Sequence, residues 1–212
     1  MTTGFQGSLL DSGDEVSLRP LGSAVQRTVL AAGAWIDLRP SWVAGADTLF
    51  DRLARSVPWQ AEKRHMYDRV VDVPRLLSFY DEGQPLPDPV LDEAISALDA
   101  QYAAELGEPF RTAGLCLYRD GRDSVAWHGD TIGRGKTQDT MVAIISVGAP
   151  RALLLRPRGG GTALRHDLGH GDLIVMGGSC QRTWEHAIPK TARAGHSTRP
   201  RISIQFRPRG VR

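Results

Sequence analysis

Three residues set the chemistry this chain can attempt. His128 and Asp130 stand two apart in Trp127-His128-Gly129-Asp130, and His186 follows 58 residues after His128. Two imidazoles and one carboxylate on one face of an octahedron hold iron(II) and leave three positions for co-substrate and dioxygen. Residues two apart at a strand end point the same way, so His128 and Asp130 can act from one place. The third ligand must come from a distant strand, and the 58-residue gap allows one to return alongside. A second copy, His170-Gly171-Asp172, has no such partner. Only 14 residues separate Asp172 from His186, about one hairpin, and Gly171-Asp172 reads as a turn into a strand at Leu173.

The segment Arg201-Ile-Ser-Ile-Gln-Phe-Arg207 adds a second requirement. Its alternation puts Arg201, Ser203, Gln205 and Arg207 on one side of a strand. Such a row is costly to bury unless a ligand or partner satisfies it; the other reading is a pair of surface arginines on an edge strand. A guanidinium makes two parallel bonds to a carboxylate, which Lys cannot. 2-Oxoglutarate chelates iron with one end and needs a fixed cation for its distal carboxylate, and this row offers one.

Positioning these groups calls for a β-core. From Arg111 onward short apolar runs are broken by Gly, Pro and Asp: Gly114–Tyr118, Val125–Trp127, Thr140–Val147, Ala152–Leu155, Asp172–Met176, Thr183–Ile188 and Ile202–Phe206. Regular short strands suit a sandwich or barrel. Two helices precede them. Asp47–Val57 places Leu49, Phe50, Leu53 and Val57 on one face. The second has Asp88 as N-cap, Pro89 at its first position, apolar residues at 3–4 spacing and Gly107 at its end. The expected class is mainly β with flanking helices (α+β).

Composition sets the outer limits. The chain has 212 residues, 41% hydrophobic, with 26 Lys and Arg against 24 Asp and Glu, enough to bury one core without a staple. Its longest apolar runs, such as Met141–Val147, fall far short of the ~20 residues that span a bilayer. Met1–Val16 lacks the basic and apolar regions of a secretory signal, and Cys116 and Cys180 read as reduced thiols. A cytoplasmic monomer without membrane contact is expected, with residues 1 to about 20 as a flexible leader. Charge is uneven: eight acids and no Lys or Arg from Asp81 to Glu108, then eight basic residues against Glu185 alone from Arg182 to Arg212. The basic end is a solvated tail or a nucleic-acid footprint.

The stretch Leu117–Ser124, then Trp127–Asp130, then Gly171-Asp172-Leu173 through Arg182 and His186, then Arg201–Arg207, resembles the AlkB family of iron and 2-oxoglutarate dioxygenases. The resemblance covers Leu115 to Arg209, about half the chain. It implies a double-stranded β-helix (jelly roll) at 111–209 within one domain, 21–212, preceded by helices and a nucleotide-recognition lid at about 55–85. The implied activity is oxidative dealkylation of N-alkylated bases in DNA or RNA, single strands included. It uses Fe(II), 2-oxoglutarate and O2 and yields succinate and formaldehyde. His128, Asp130 and His186 would hold iron, Arg201 the distal carboxylate and Arg207 the chelating end, with Tyr118 hydrogen-bonding the co-substrate. In the lid, Trp59, Tyr67 and Tyr80 would stack an extruded base, or simply pack in the core. Arg134 is a further substrate candidate; Arg182 and Trp184 would orient the His186 strand or pack.

Two departures bear on specificity. The family usually has Asn two residues before that Tyr, where this chain has Cys116, and an acid often follows the iron Asp, where Thr131-Ile132-Gly133-Arg134 follow here. They keep open the same iron site acting on a modified tRNA base, protein side chain or small molecule. The basic C-terminal face keeps open a different class, a non-catalytic β-barrel that binds nucleic acid, with the His and Asp groups packed or holding a structural metal.

Overall fold

The computed structural model describes residues 15–66, 69–191 and 199–211. In chain order it runs β1 (Ser17–Leu18), β2 (Gln26–Val29), β3 (Ala34–Arg39), β4 (Val43–Ala44), α1 (Ala46–Ser56), β5 (Gln60–Met66), β6 (Arg69–Tyr80), α2 (Pro89–Gln101) and α3 (Ala103–Leu106). It continues with β7 (Phe110–Tyr118), β8 (Val125–His128), β9 (Val142–Gly148), β10 (Arg151–Pro157), β11 (Leu164–Leu168), β12 (Asp172–Gly178), α4 (Cys180–Thr183), β13 (Trp184–Ile188) and β14 (Arg201–Pro208). The strands form an eight-stranded sheet, β2-β3-β12-β9-β14-β7-β6-β5, and a four-stranded sheet, β11-β10-β13-β8, with β1 and β4 paired separately. All recorded pairings in both large sheets are antiparallel.

Two apolar layers explain why the central strands read as continuous hydrophobic runs. On β9, Val142 and Ile144 join a cluster shared with Leu153, Leu155, Trp184 and Ile188 of the small sheet, whereas Ala143, Ile145 and Val147 join a second cluster under the helices. A strand covered on both faces has no polar side to show. The two sheets thus close over the first cluster as a jelly roll, and α1 and α2 cover the outer face of the large sheet with Leu49, Leu53, Leu91 and Leu98.

The two expected helices form where capping and periodicity put them. The Asp88 carboxylate accepts from the Val90 N–H at 3.1 Å, Pro89 opens α2, and Val57 closes α1 by donating to the Leu53 carbonyl at 3.2 Å. The second helix is broken in two at Tyr102 before it reaches Gly107. Tyr102 is buried there, its hydroxyl donating to Asp37 at 2.9 Å and its ring stacked on Trp35.

Each strand expected after residue 111 is present. Those without a period-2 apolar signal were not legible: β2 is exposed throughout, and β5 reads Gln-Ala-Glu-Lys-Arg-His-Met. β5 and β6 form a hairpin that extends the large sheet beyond β7, so most of the 55–85 stretch is strand. Of residues 1–20, Ser17 and Leu18 pair with Ala44 and Val43, and 1–14 lie outside the described residues. No described helix is long and apolar enough to cross a membrane.

Candidate metal centre and co-substrate pocket

β13 lies between β10 and β8, in a register that sets His186 opposite His128, with ring centroids 4.2 Å apart. Asp130 follows just past the end of β8, and the ligand atoms of His128, Asp130 and His186 all lie within 4.8 Å of one another. His128 Nδ1 is 2.9 Å from the Ala126 carbonyl. With Nδ1 donating there, Nε2 keeps its lone pair, 3.6 Å from Asp130 Oδ1. Gly129 between the two ligands has a steric reason: a methyl group on it would sit 2.4 Å from the Gln181 carbonyl oxygen. Gln181 comes that close because its Oε1 accepts the Asp130 N–H at 2.9 Å.

The protonation states suit a cation. Burial alone would raise the Asp130 pKa, but Arg207, donating through Nε at 2.7 Å, and the two imidazoles hold it well below the usual carboxylate range. Burial, reinforced by His128, brings His186 down to about 3, so its imidazole is neutral. Metal ligands must be deprotonated, and the shifts at Asp130 and His186 favour that form.

Beside this triad lies the polar row of β14. Arg201 is buried; its Nε donates to Ser146 Oγ at 2.8 Å, and its Nη1 has no hydrogen-bond partner among the described residues. Its guanidinium carbon is 5.2 Å from the centre of the Tyr118 ring, and that of Arg151 5.4 Å. Burial pushes the Tyr118 phenol up to about 12, so it remains a hydroxyl. Gln205 Nε2 donates to Ser203 Oγ at 2.8 Å and to Cys116 Sγ at 3.4 Å, so the thiol lies in this row. A buried guanidinium donor without a partner is costly and suits a carboxylate, which is what the distal end of 2-oxoglutarate presents.

The structure therefore brings His128, Asp130, His186 and Arg207 together and places Tyr118 beside Arg201 on the strand pair that carries the polar row. It does not bring Trp59 and Tyr80 to the site. Trp59 packs on the helix-side core and its Nε1 donates to the Ala54 carbonyl; Tyr80, opposite Ala113, turns to that same side. Tyr67 and the Arg134 side chain lie outside the described residues. Arg182 bonds Asp139, and Trp184 is buried with its Nε1 on the Ala31 carbonyl. His170 sits in a turn, its Nδ1 accepting the Gly148 N–H at 2.8 Å.

Three polar groups escaped the sequence reading. Gln181 had no spacing signal. Ser146 interrupts an apolar run, a cue that was available. Arg151 holds the carbonyls of Asp120, Asp123 and Pro189, and so ties the β7–β8 loop to the end of β13.

The model of the 2OG-Fe(II) oxygenase superfamily matches residues 43–207. The bovine alpha-ketoglutarate-dependent dioxygenase alkB homolog 3 is 31% identical over 93% of this chain and 72% of its own length; the human homolog 3 is 30% identical over the same shares. The chain belongs to the AlkB family. As an AlkB protein it is an Fe(II)- and 2-oxoglutarate-dependent dioxygenase. It is also similar to the Arabidopsis thaliana DNA oxidative demethylase ALKBH2, at 26% identity over 82% of this chain and 63% of that protein. In fold this AlkB chain is similar to OsALKBH1, with a TM-score of 0.59 at 15% identity, covering 86% of this chain and all of that one.

Proposed function

We propose that this AlkB enzyme removes alkyl groups oxidatively from base nitrogens of DNA or RNA. What supports the reading is the relationship to alkB homolog 3 across 93% of the chain and to a DNA oxidative demethylase, combined with a His-Asp-His cluster whose ligand atoms lie within 4.8 Å of one another. His128, Asp130 and His186 hold the iron, which when bound couples dioxygen activation and 2-oxoglutarate decarboxylation to hydroxylation of the alkyl carbon. Arg201 grips the distal carboxylate of 2-oxoglutarate through the N–H it leaves unpaired, Tyr118 hydrogen-bonds the co-substrate, and Arg207 steadies Asp130 beside its chelating end. The hydroxymethyl group left on the base leaves as formaldehyde. The enzyme acts as a cytoplasmic monomer on strands that include single-stranded ones; its two cysteines are both free and buried.

The test is iron and 2-oxoglutarate loaded without oxygen, then air, with a methylated single-stranded oligonucleotide. Lesion loss is followed by mass spectrometry for wild type and His128→Ala. Loss with wild type alone is expected. Succinate formed while the lesion survives would move the site to another substrate, and neither product with iron bound would overturn the catalytic reading.

A further inference from the structure

Tyr118 is the meeting point of three arginines from three other strands. On β14 Arg201 pairs with it in the register, and on β6 Leu76 pairs with Leu117, so Arg75 stands beside it on the opposite side. Arg151 reaches the same ring from β10 in the small sheet. Each guanidinium keeps one buried N–H without a partner among the described residues: Nη1 of Arg201, Nε of Arg151 and Nε of Arg75. The hydrogen bonds of Arg151 go to the carbonyls of Asp120, Asp123 and Pro189, and Arg75 donates through Nη1 to the Ser124 carbonyl at 3.3 Å. The carboxylates that act on Arg151, those of Asp123 and Asp120, are already engaged by Arg119 and Arg122. Burial lowers the Arg201 pKa and Arg151 lowers it further, as cations do when held together out of water. Three positive charges thus surround one phenol, and buried charge without a counter-ion is costly.

We infer that Arg151 and Arg75 are positioning residues for the co-substrate: acting through Tyr118, they make this end of the site demand a fully charged carboxylate. The inference rests on the pairing of Arg201 with the distal carboxylate and goes beyond it. A carboxylate at the free Nη1 of Arg201 lies beside Tyr118 and in the field of all three charges, which at low effective dielectric acts over several ångströms without contact. Burial raises the Tyr118 pKa and each of the three arginines opposes it, the direction that makes the hydroxyl a better donor to an anion. An uncharged end at the same place would leave three buried cations unrelieved, so charge rather than length decides what is accepted. Arg151 also fixes a distance. By holding Asp120 and Asp123 in the β7–β8 loop and Pro189 just past β13, it ties the strand of Tyr118 to those of His128 and His186.

The deciding experiment is calorimetric titration of the manganese-loaded protein, without oxygen, with 2-oxoglutarate and with 2-oxopentanoate. The second ligand has the same chelating end and a methyl group in place of the distal carboxylate. Arg151→Gln and Arg75→Gln are each expected to weaken 2-oxoglutarate about 10-fold and to leave 2-oxopentanoate unchanged. Arg151→Lys, which keeps the charge but not the three carbonyl bonds, is expected to restore most of the preference. Should Arg151→Gln lose its cooperative melting transition, Arg75→Gln decides, since that side chain is only half-buried. Equal weakening of both ligands would reduce the two arginines to a structural role, and unchanged binding of both would give them none; either result overturns the inference. Arg201→Met tests the reading beneath it and is expected to erase the preference. If that variant keeps the full preference, the pairing of Arg201 with the distal carboxylate falls and the inference with it. If it erases the preference while both Gln variants retain it, only the inference falls.

Discussion

The two faces of β14 are one sequence put to opposite uses. Ile202, Ile204 and Phe206 point to the helices and are fully buried among aliphatic side chains. Arg201, Ser203, Gln205 and Arg207, interleaved with them, point between the sheets, three of them buried and Arg207 nearly so. The outer face gains free energy from area removed from water. The inner face pays desolvation for polar groups and leaves a donor of Arg201 unpaired. An arrangement that costs stability on one face while the other supplies it belongs to a binding site supported by a core. Alternation lets seven residues do both without interference.

The largest effect expected from breaking this division is at the metal end. His186→Ala should abolish iron-dependent succinate formation, measured by mass spectrometry, with the apo melting temperature no lower than wild type. A folded, fully active variant would remove His186 from the ligand set. On the outer face, Ile204→Ala should cost about 2–5 kcal/mol in urea unfolding and leave the KM for 2-oxoglutarate unchanged. A changed KM with full stability would mean that the two faces are not separable.

Arg201→Met tests the inner face at its costliest residue. The KM for 2-oxoglutarate should rise roughly 10- to 100-fold, the worth of hydrogen bonds to a charged group. The apo protein should be as stable as wild type or more so, since an imperfectly paired buried charge is removed. A loss of stability like that of Ile204→Ala would make Arg201 a core residue and end the contrast.

The smallest effect is a pH dependence of the metal-free protein. His186 has its folded pKa pressed to about 3, below the 6.5 of an unperturbed His. Below about pH 6.5 the unfolded chain binds a proton that the folded site refuses. Stability should therefore fall by about 1.4 kcal/mol per pH unit from this group as pH drops toward 3. Urea midpoints at pH 7.5 and 5.0 measure it, and His186→Gln should flatten the slope between them. A flat wild-type profile would show that His186 is not held neutral.

Much of this was legible because it is local. The His-x-Asp pair, the alternation of Arg201 to Arg207, the Asp88-Pro89 start of α2 and the apolar runs of the central strands each depend on neighbours a few residues away. The substrate side was not. Tyr80 looks like Phe79 in composition, and which of the two faces the polar row depends on a pairing register, Phe79 with Gly114 and Tyr80 with Ala113. One residue of slip would exchange their faces. The edge strands β2 and β5 likewise form through pairing rather than through their own patterning.

By itself, then, the sequence determined a β-core with two buttressing helices and named an iron and 2-oxoglutarate chemistry, because ligand type, spacing and strand alternation are properties of short segments. Only the tertiary structure decided that His186 stands opposite His128, that Gln181 and Arg207 secure Asp130, that Arg201 keeps a donor in reserve, and that Phe79 rather than Tyr80 looks inward. Those are relations between strands distant in the chain, and they are set by how the sheets pair and close, which no single segment encodes.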